Sequence, residues 1–455
     1  MDESRNSERA ISQGDRTRLN PNDGPPGDDV AHTLEALDAL FGAGGAHRVT
    51  VRLWDGTTWP DAAHQNAERP VTLALKHPGA LRAAFLPGTE LALAEAYLYD
   101  DFDIEGDIES IFGLADALAA ATSGWRTKLQ AARELLRLPA HSNRRQGRRG
   151  PARLRGRRHS VERDREAIRY HYDVSNDFYA LWLDERMVYS CGYFEDPGDD
   201  LDAAQRRKLD IICRKLRLCP GQRLLDIGCG WGGLAIHAAQ EYGVDATGVT
   251  LSAPQADLAN ERIATAGLGE RCRVLLQDYR EVAAPDGFDA LVSVGMFEHV
   301  GAELLPTYFD LALRLLRPRG VFLNHGIASR ATDETTHGPT FNDAYVFPDG
   351  ELAPIHATLR AAEEAGFEVR DVESLREHYA LTLRHWVRRL EAHRDRALEF
   401  VDEPTYRVWR LFMSGSAHGF TTGRLNVYQT LLVRQGPDGD SGLPLTRCDW
   451  YPPAA

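Results

Sequence analysis

Asp226, Gly228 and Gly230 stand in a D-x-G-x-G spacing within LLDIGCGWGGLAIHAA, residues 224 to 239, which also holds Gly232 and Gly233. Glycines at this density remove side chains where a ligand must come close. A helix starting after them offers unpaired N–H groups and the positive end of its dipole. A polar or anionic ligand is the natural occupant. The stretch can be forced into G-x-G-x-x-G at Gly228, Gly230 and Gly233, but a lone match of that kind is weak, and no Lys-Ser/Thr pair of a phosphate loop follows. Asp226, at the strand end before the first glycine, is the residue that decides between ligand classes.

The elements that must carry these residues are legible around them. The run ending Leu224-Leu225-Asp226-Ile227 reads as a buried strand and Leu234 to Ala239 as the start of a helix, so the glycines occupy a strand-to-helix turn. From about 165 to 433, RLLDIGCG, DATGVTLS, CRVLLQDY, FDALVSVGMFEHV and GVFLNHGI alternate with helical segments. That order predicts an α/β fold, a Rossmann-like doubly wound parallel sheet whose ligands bind beyond the carboxyl ends of the strands. The polar residues collected at those ends are Asp226, Gly228 and Gly230; Thr250, Ser252 and Gln255; Gln277, Asp278 and Tyr279; Glu298 and His299; and His325. A crevice lined by acids, amides, a phenol and histidines can hold adenosine and a charged amino acid.

The rest of the chain is organised in three parts. Residues 1–30, with PNDGPPGDD, predict a disordered leader. Residues 31–138 predict a smaller N-terminal α+β domain: RVTVRLWDGTTW alternates up to an Asp55-Gly56 hairpin turn, and LALAEAYLYDDFDIEGDIESIFGLADALA carries apolar residues at helical spacing. Residues 139–164 form an Arg-rich linker with Arg144, Arg145, Arg148, Arg149, Arg153, Arg155, Arg157 and Arg158 among Gly and Pro. It suits a solvated tether, or a contact with anionic phospholipid worth about 1 kcal/mol per basic residue near the surface. Residues 165–455 are assigned to the catalytic domain.

Composition narrows the function. The 455 residues carry a formal charge of -14 and 43% hydrophobic residues, those of a soluble globular protein and not of a general nucleic-acid binder. Cys191, Cys213, Cys219, Cys229, Cys272 and Cys448 show no CxxC pair and no metal spacing, so a reducing cytoplasm without structural zinc or disulfides is expected. No apolar run is long enough to span a bilayer, and membrane contact is expected to be peripheral, on the inner face.

The D-x-G-x-G run looks like the signature of methyltransferases that bind S-adenosylmethionine. YHYDVSNDFYALWLDERMVYSCGYF (170–194), GVTLSAPQ, VGMFEHVG, FPDGELAP, HYALTLRHW and WRLFMSGSAHGF extend the likeness. Together they resemble the cyclopropane-fatty-acyl-phospholipid synthase family, which includes the mycolic acid cyclopropane synthases, from the N-terminal domain to about residue 433. The resemblance implies a class I methyltransferase fold and methyl transfer to the cis double bond of an unsaturated phospholipid acyl chain. It implies that Tyr172, Ser190, Asp226, Gly228, Gly230, Thr250, Gln255, Gln277, Asp278 and Tyr279 contact S-adenosylmethionine. Cys191, Glu298, His325 and Tyr379 would lie near the acyl chain, around a bound bicarbonate ion. Ser416 stands where family members commonly carry cysteine, with His418 close by in sequence. The resemblance also allows a homodimer.

The chemistry suits such a set. An isolated alkene is a poor nucleophile, so the sulfonium must supply the drive and the site must hold methyl and alkene in line. Attack leaves a carbocation, and closure to cyclopropane requires a base beside the new methyl group and the exclusion of water. Faces of Tyr172, Tyr193 and Phe194 are candidates to stabilise the cation. Loss of the proton elsewhere, after a hydride shift, gives a methylene- or methyl-branched chain and calls for a downstream reductase. A homologue that binds lipid or cofactor without turnover is a further class. Methylation of nucleic acid predicts an Asn/Asp-Pro-Pro-Tyr/Phe motif, which is absent, so no nucleic-acid partner is expected.

Overall fold

A computed structural model of the chain describes residues 28–45, 49–60, 71–121, 125–143, 150–172, 174–332 and 340–451. The expected leader lies almost wholly outside these residues, as do Arg144, Arg145, Arg148 and Arg149 of the linker.

The N-terminal unit is built on β1 (Thr50–Arg52), β2 (Thr58–Trp59), β3 (Val71–Leu75) and β4 (Phe102–Gly106), in the order β2-β1-β3-β4. The Asp55-Gly56 turn joins β1 and β2 as an antiparallel pair. Gly56 takes a φ of 92°, and Asp55 Oδ1 accepts from the Thr57 N–H at 2.9 Å. One expectation is corrected here. Residues 91–119 are not a continuous helical stretch, because helix Glu90–Leu98 ends, Asp100 turns with a φ of 64°, and β4 intervenes before helix Ser110–Ala121. Phe102 and Ile104 point inward and Asp103 and Glu105 outward, a period of two inside a segment whose apolar content suggests a helix.

The larger unit carries β5 (Arg223–Ile227), β6 (Asp245–Thr250), β7 (Cys272–Leu276), β8 (Phe288–Val294), β9 (Leu316–Ser329), β10 (Glu368–Ser374) and β11 (Leu425–Val433). Their order is β10-β11-β9-β8-β5-β6-β7. The five expected parallel strands are all present, and the sheet is wider than they are. β11 runs antiparallel between β9 and β10, which makes it mixed. β10 reads as polar because it is an edge strand with only Asp371 buried. The order reverses at β5, which lies between β6 and β8, and a crevice opens beyond its carboxyl end.

Helix Glu403–Thr421 ties the two units together. Arg407 donates to the carbonyls of Tyr97 and Phe102, and Arg410 to the Tyr97 hydroxyl and the Ile104 carbonyl, each from a buried position. His418 pairs with Asp116 at 2.8 Å, so it serves this junction. Linker residues from 150 onward lie on the larger unit: Ala152 N–H donates to the Ala344 carbonyl, and Arg158 stands 3.9 Å from both Asp349 and Glu351. Among the described residues, no helix is long and apolar enough to cross a membrane.

Candidate active site

The glycine turn after β5 divides its work. A Cβ on Gly228 would come within 2.6 Å of Met296, and one on Gly233 within 2.9 Å of Val188 and 3.0 Å of the Arg186 carbonyl, so these glycines make room for protein. Gly232, with a φ of 76°, starts helix Gly233–Tyr242 in the left-handed region. Gly230 alone faces space: a Cβ there meets nothing closer than Gln255 Nε2 at 4.0 Å. The bareness of the turn is thus mainly for packing, with one glycine left open to a ligand.

All ten residues expected at the cofactor line one pocket beyond the strand ends. Asp226 is one of its buried acids. Burial raises its carboxyl to about 7 against the pull of Lys208, and Oδ2 has no hydrogen-bond partner. Such a buried oxygen calls for a donor, which the ammonium or hydroxyl groups of S-adenosylmethionine can supply. Thr250 Oγ1 donates to Gln255 Oε1 at 2.8 Å, and Ser190 Oγ accepts from Lys208 Nζ at 2.9 Å. Asp278 is committed elsewhere, since its carboxylate accepts from the Arg280 backbone and guanidinium at 2.7–2.9 Å. Gln277 likewise gives its amide N–H to the Glu281 carbonyl, leaving its oxygen. Tyr279 packs edge-on against Tyr308, and Tyr172 against His171 and Tyr189.

Beside this pocket lies a second group of polar residues. Glu298 Oε1 accepts from the Ile327 N–H at 2.7 Å, Oε2 is buried without a partner, and burial pushes the carboxyl up to about 7. Burial, with Lys208 and Lys215 nearby, pulls His325 down to about 3, so its imidazole is neutral at physiological pH. Tyr379 is raised by burial and by its neighbours Cys191, Glu298 and Tyr172. Those electrostatic couplings place Tyr379, Cys191, Glu298 and Tyr172 in one neighbourhood. The Cys191 thiol donates to the carbonyls of Gly192 and Leu375, and burial keeps it protonated. It acts as a small buried hydrophobe and not as a nucleophile. Ser416 sits half-buried on helix Glu403–Thr421, one turn before Phe420, whose ring lies 4.7 Å from that of Tyr379; no described contact joins Ser416 itself to the other four.

The aromatic surroundings differ from expectation at two positions. Tyr193 is stacked on His378 at 4.9 Å and Phe194 on His385 at 5.7 Å, so one face of each is already covered. Tyr172, Tyr189, Trp386 and Tyr379 instead form a continuous run of ring contacts.

Lys208, which the sequence did not single out, lines the pocket, as does His299 from the strand-end group. Lys208 is 1% exposed and lowered by burial to about 8, with Asp184, Cys191 and Asp226 opposing that shift. Its signal was available: in helix Leu201–Lys215, Ala204, Lys208, Ile211 and Lys215 repeat at helical spacing, which puts two lysines on a buried stripe. His299, lowered by burial to about 4, is held between Tyr172 and Phe347.

With this geometry in hand, the similarities to known proteins are consistent. Residues 159–430 match the family model described as mycolic acid cyclopropane synthetase. A protein of Pseudomonas putida named probable fatty acid methyltransferase is 40% identical over 404 residues, or 88% of this chain and 95% of its own. The cyclopropane-fatty-acyl-phospholipid synthase of Escherichia coli K12 is 40% identical over 269 residues, 59% of this chain and 68% of its own. The crystal structure of mycolic acid cyclopropane synthase CmaA1 complexed with SAH and CTAB aligns with a TM-score of 0.56 at 35% identity, covering 59% of this chain and 97% of that one. The chain therefore belongs to the mycolic acid cyclopropane synthetase family and is an S-adenosylmethionine-dependent methyltransferase of the cyclopropane-synthase kind.

Proposed function

We propose that the protein methylates the cis double bond of an unsaturated phospholipid acyl chain and closes the product to a cyclopropane. The observation that carries this reading is the pair of buried, unpartnered polar atoms, Glu298 Oε2 and His325 Nε2, close to the glycine-turn pocket and an aromatic wall. S-adenosylmethionine, when bound, supplies an electrophilic methyl group.

The chain's own residues do the rest. Asp226, Gly230, Thr250 and Gln255 bind and orient the cofactor from the ends of β5 and β6. The faces of Tyr172, Tyr189, Trp386 and Tyr379 stabilise positive charge on the acyl chain, at about 0.5–2 kcal/mol each. Burial of Cys191 and the surrounding rings excludes water that would quench a cation. Glu298 Oε2 accepts, and the hydroxyl of Tyr379 and the ring N–H of His325 donate. This combination fits a bicarbonate ion, which has both an O–H and acceptor oxygens and would supply a general base. Phospholipid as substrate entails working at the membrane surface, on its cytoplasmic face, and a dimer is compatible with this.

The same transfer ending in a methylene- or methyl-branched chain is the second reading. It is favoured by the near full-length similarity to the Pseudomonas putida protein, whose name specifies fatty acid methyl transfer and no ring. Its product would need a reductase to become a saturated branch.

The test uses purified full-length protein, methyl-labelled S-adenosylmethionine and vesicles of either cis-unsaturated or saturated phospholipid. Label is expected in the acyl chains of the unsaturated vesicles alone. Label in neither, with cofactor bound, would point to a binding protein, and label in added RNA would overturn the reading.

A further inference from the structure

The registers of the larger sheet align three polar side chains across three neighbouring strands. Glu373 of β10 is paired with Gln429 of β11, and Gln429 with His325 of β9. Residues directly opposite on adjacent strands share one face. Lys215, in the last turn of helix Leu201–Lys215, enters this row: its Nζ bonds Glu373 and lies 2.7 Å from Gln429 Oε1. Lys215, Gln429 and His325 are each about 1% exposed. Polar groups so deeply buried are costly unless paired, so the direction of each hydrogen bond in the row matters.

That direction follows from the donor inventory. An ammonium can only donate, so the oxygen of the Gln429 amide faces Lys215 and its NH₂ faces the other way. The amide nitrogen stands 3.3 Å from His325 Nδ1. An NH₂ also only donates, so Nδ1 accepts with its lone pair, and the ring proton resides on Nε2. His325 Nε2 is buried and has no partner among the described residues.

We propose that Gln429, itself oriented by Lys215, is a positioning residue that fixes His325 in the Nε2–H tautomer, so that His325 meets the small anion of the acyl site as a neutral donor and not as a base. The role toward an anion rests on the methyl-transfer reading above, whereas the tautomer rests on hydrogen-bond geometry alone. A preset N–H donor holds an anion at no cost of reorganisation during reaction, and it adds no second base beside a carbocation. A row that merely satisfied buried groups would not couple the tautomer to turnover.

Heteronuclear NMR of the full chain with isotope-labelled histidine rings reads the tautomer directly, with His325 assigned among the 16 histidines as the signal lost in H325N. The native protein is expected to show a proton on Nε2 at neutral pH. Gln429→Glu places a carboxylate acceptor opposite Nδ1. It is expected to move the proton there and to lower kcat roughly 10²-fold, while KM for S-adenosylmethionine stays within about twofold. Gln429→Met, which keeps the volume without a donor, is expected to give both tautomers and an intermediate kcat, and it serves if the charged variant does not fold. A native Nδ1–H tautomer overturns the proposal, as does a Gln429→Glu protein whose proton has moved with kcat unchanged. If native protein transfers no methyl group to unsaturated phospholipid, the functional reading fails, while the NMR spectrum still decides the tautomer.

Discussion

Glu298 accepts a 2.7 Å hydrogen bond from the Ile327 backbone N–H through Oε1 and leaves Oε2 buried with no partner. One oxygen is fixed by β9, and the other is the one that the proposed function turns toward the acyl chain. Burial raises this carboxyl to about 7, so it passes from protonated to ionised near neutrality.

Activity is therefore expected to rise with pH through about 7, as Glu298 becomes the acceptor the site requires. Glu298→Gln should remove that limb and lower kcat roughly 10²-fold. Asp226 also titrates at about 7, so the profile of Asp226→Asn serves as the control and should keep the limb. Measuring kcat/KM against pH for the three proteins decides the matter. A native profile flat across neutrality contradicts the assignment.

Asp226 bears on stability with a definite sign. Its folded carboxyl is raised by burial from the ordinary range to about 7, so the folded protein holds a proton that the unfolded chain releases. Stability from this group is present at acid pH and lost as pH rises through about 7. Asp226→Asn is expected to stabilise the cofactor-free protein above that pH by a few kcal/mol, at roughly 1.4 kcal/mol per pKa unit of a rise that is already net of the attraction to Lys208. The same variant should weaken S-adenosylmethionine binding by about tenfold or more. Thermal melts at acid and alkaline pH, with cofactor titration, test both. Tighter cofactor binding would contradict the role given to Oδ2.

The crevice was readable from sequence because its residues sit at the ends of strands whose apolar runs are unmistakable. RLLDIGCG and FDALVSVG announce β5 and β8, and the glycines between strand and helix mark the turn. Two features resisted that reading. β4 and β10 are short or polar, with burial decided by neighbours and not by their own composition. The partners of a side chain are equally invisible in a linear pattern. Nothing in QDYRE says that Arg280 engages the Asp278 carboxylate, and nothing in GYFED says that His378 and His385 cover Tyr193 and Phe194. Residue types brought these positions to one neighbourhood, while the partners of each side chain depended on contacts within a turn, as at Asp278 and Arg280, and between segments far apart, as at Tyr193 and His378.

The two central glycines should respond differently to alanine. Gly228→Ala meets Met296 at 2.6 Å in a left-handed conformation, and is expected to destabilise the protein by about 2–3 kcal/mol. Gly230→Ala has open space around it and should cost only about 1 kcal/mol of backbone strain while filling part of the cofactor's room. Denaturant unfolding and cofactor titration separate the effects. A Gly230→Ala protein that binds S-adenosylmethionine normally contradicts the idea that this glycine faces the ligand.

Mass spectrometry of acyl chains after incubation with S-adenosylmethionine and cis-unsaturated phospholipid, before and after catalytic hydrogenation, tests the central claim most directly. Addition of one CH₂ unit in a product that resists mild hydrogenation is the expected result and identifies a cyclopropane. A product of the same mass that takes up hydrogen contradicts ring closure and identifies the methylene branch, and an unchanged acyl chain contradicts methyl transfer to the alkene altogether.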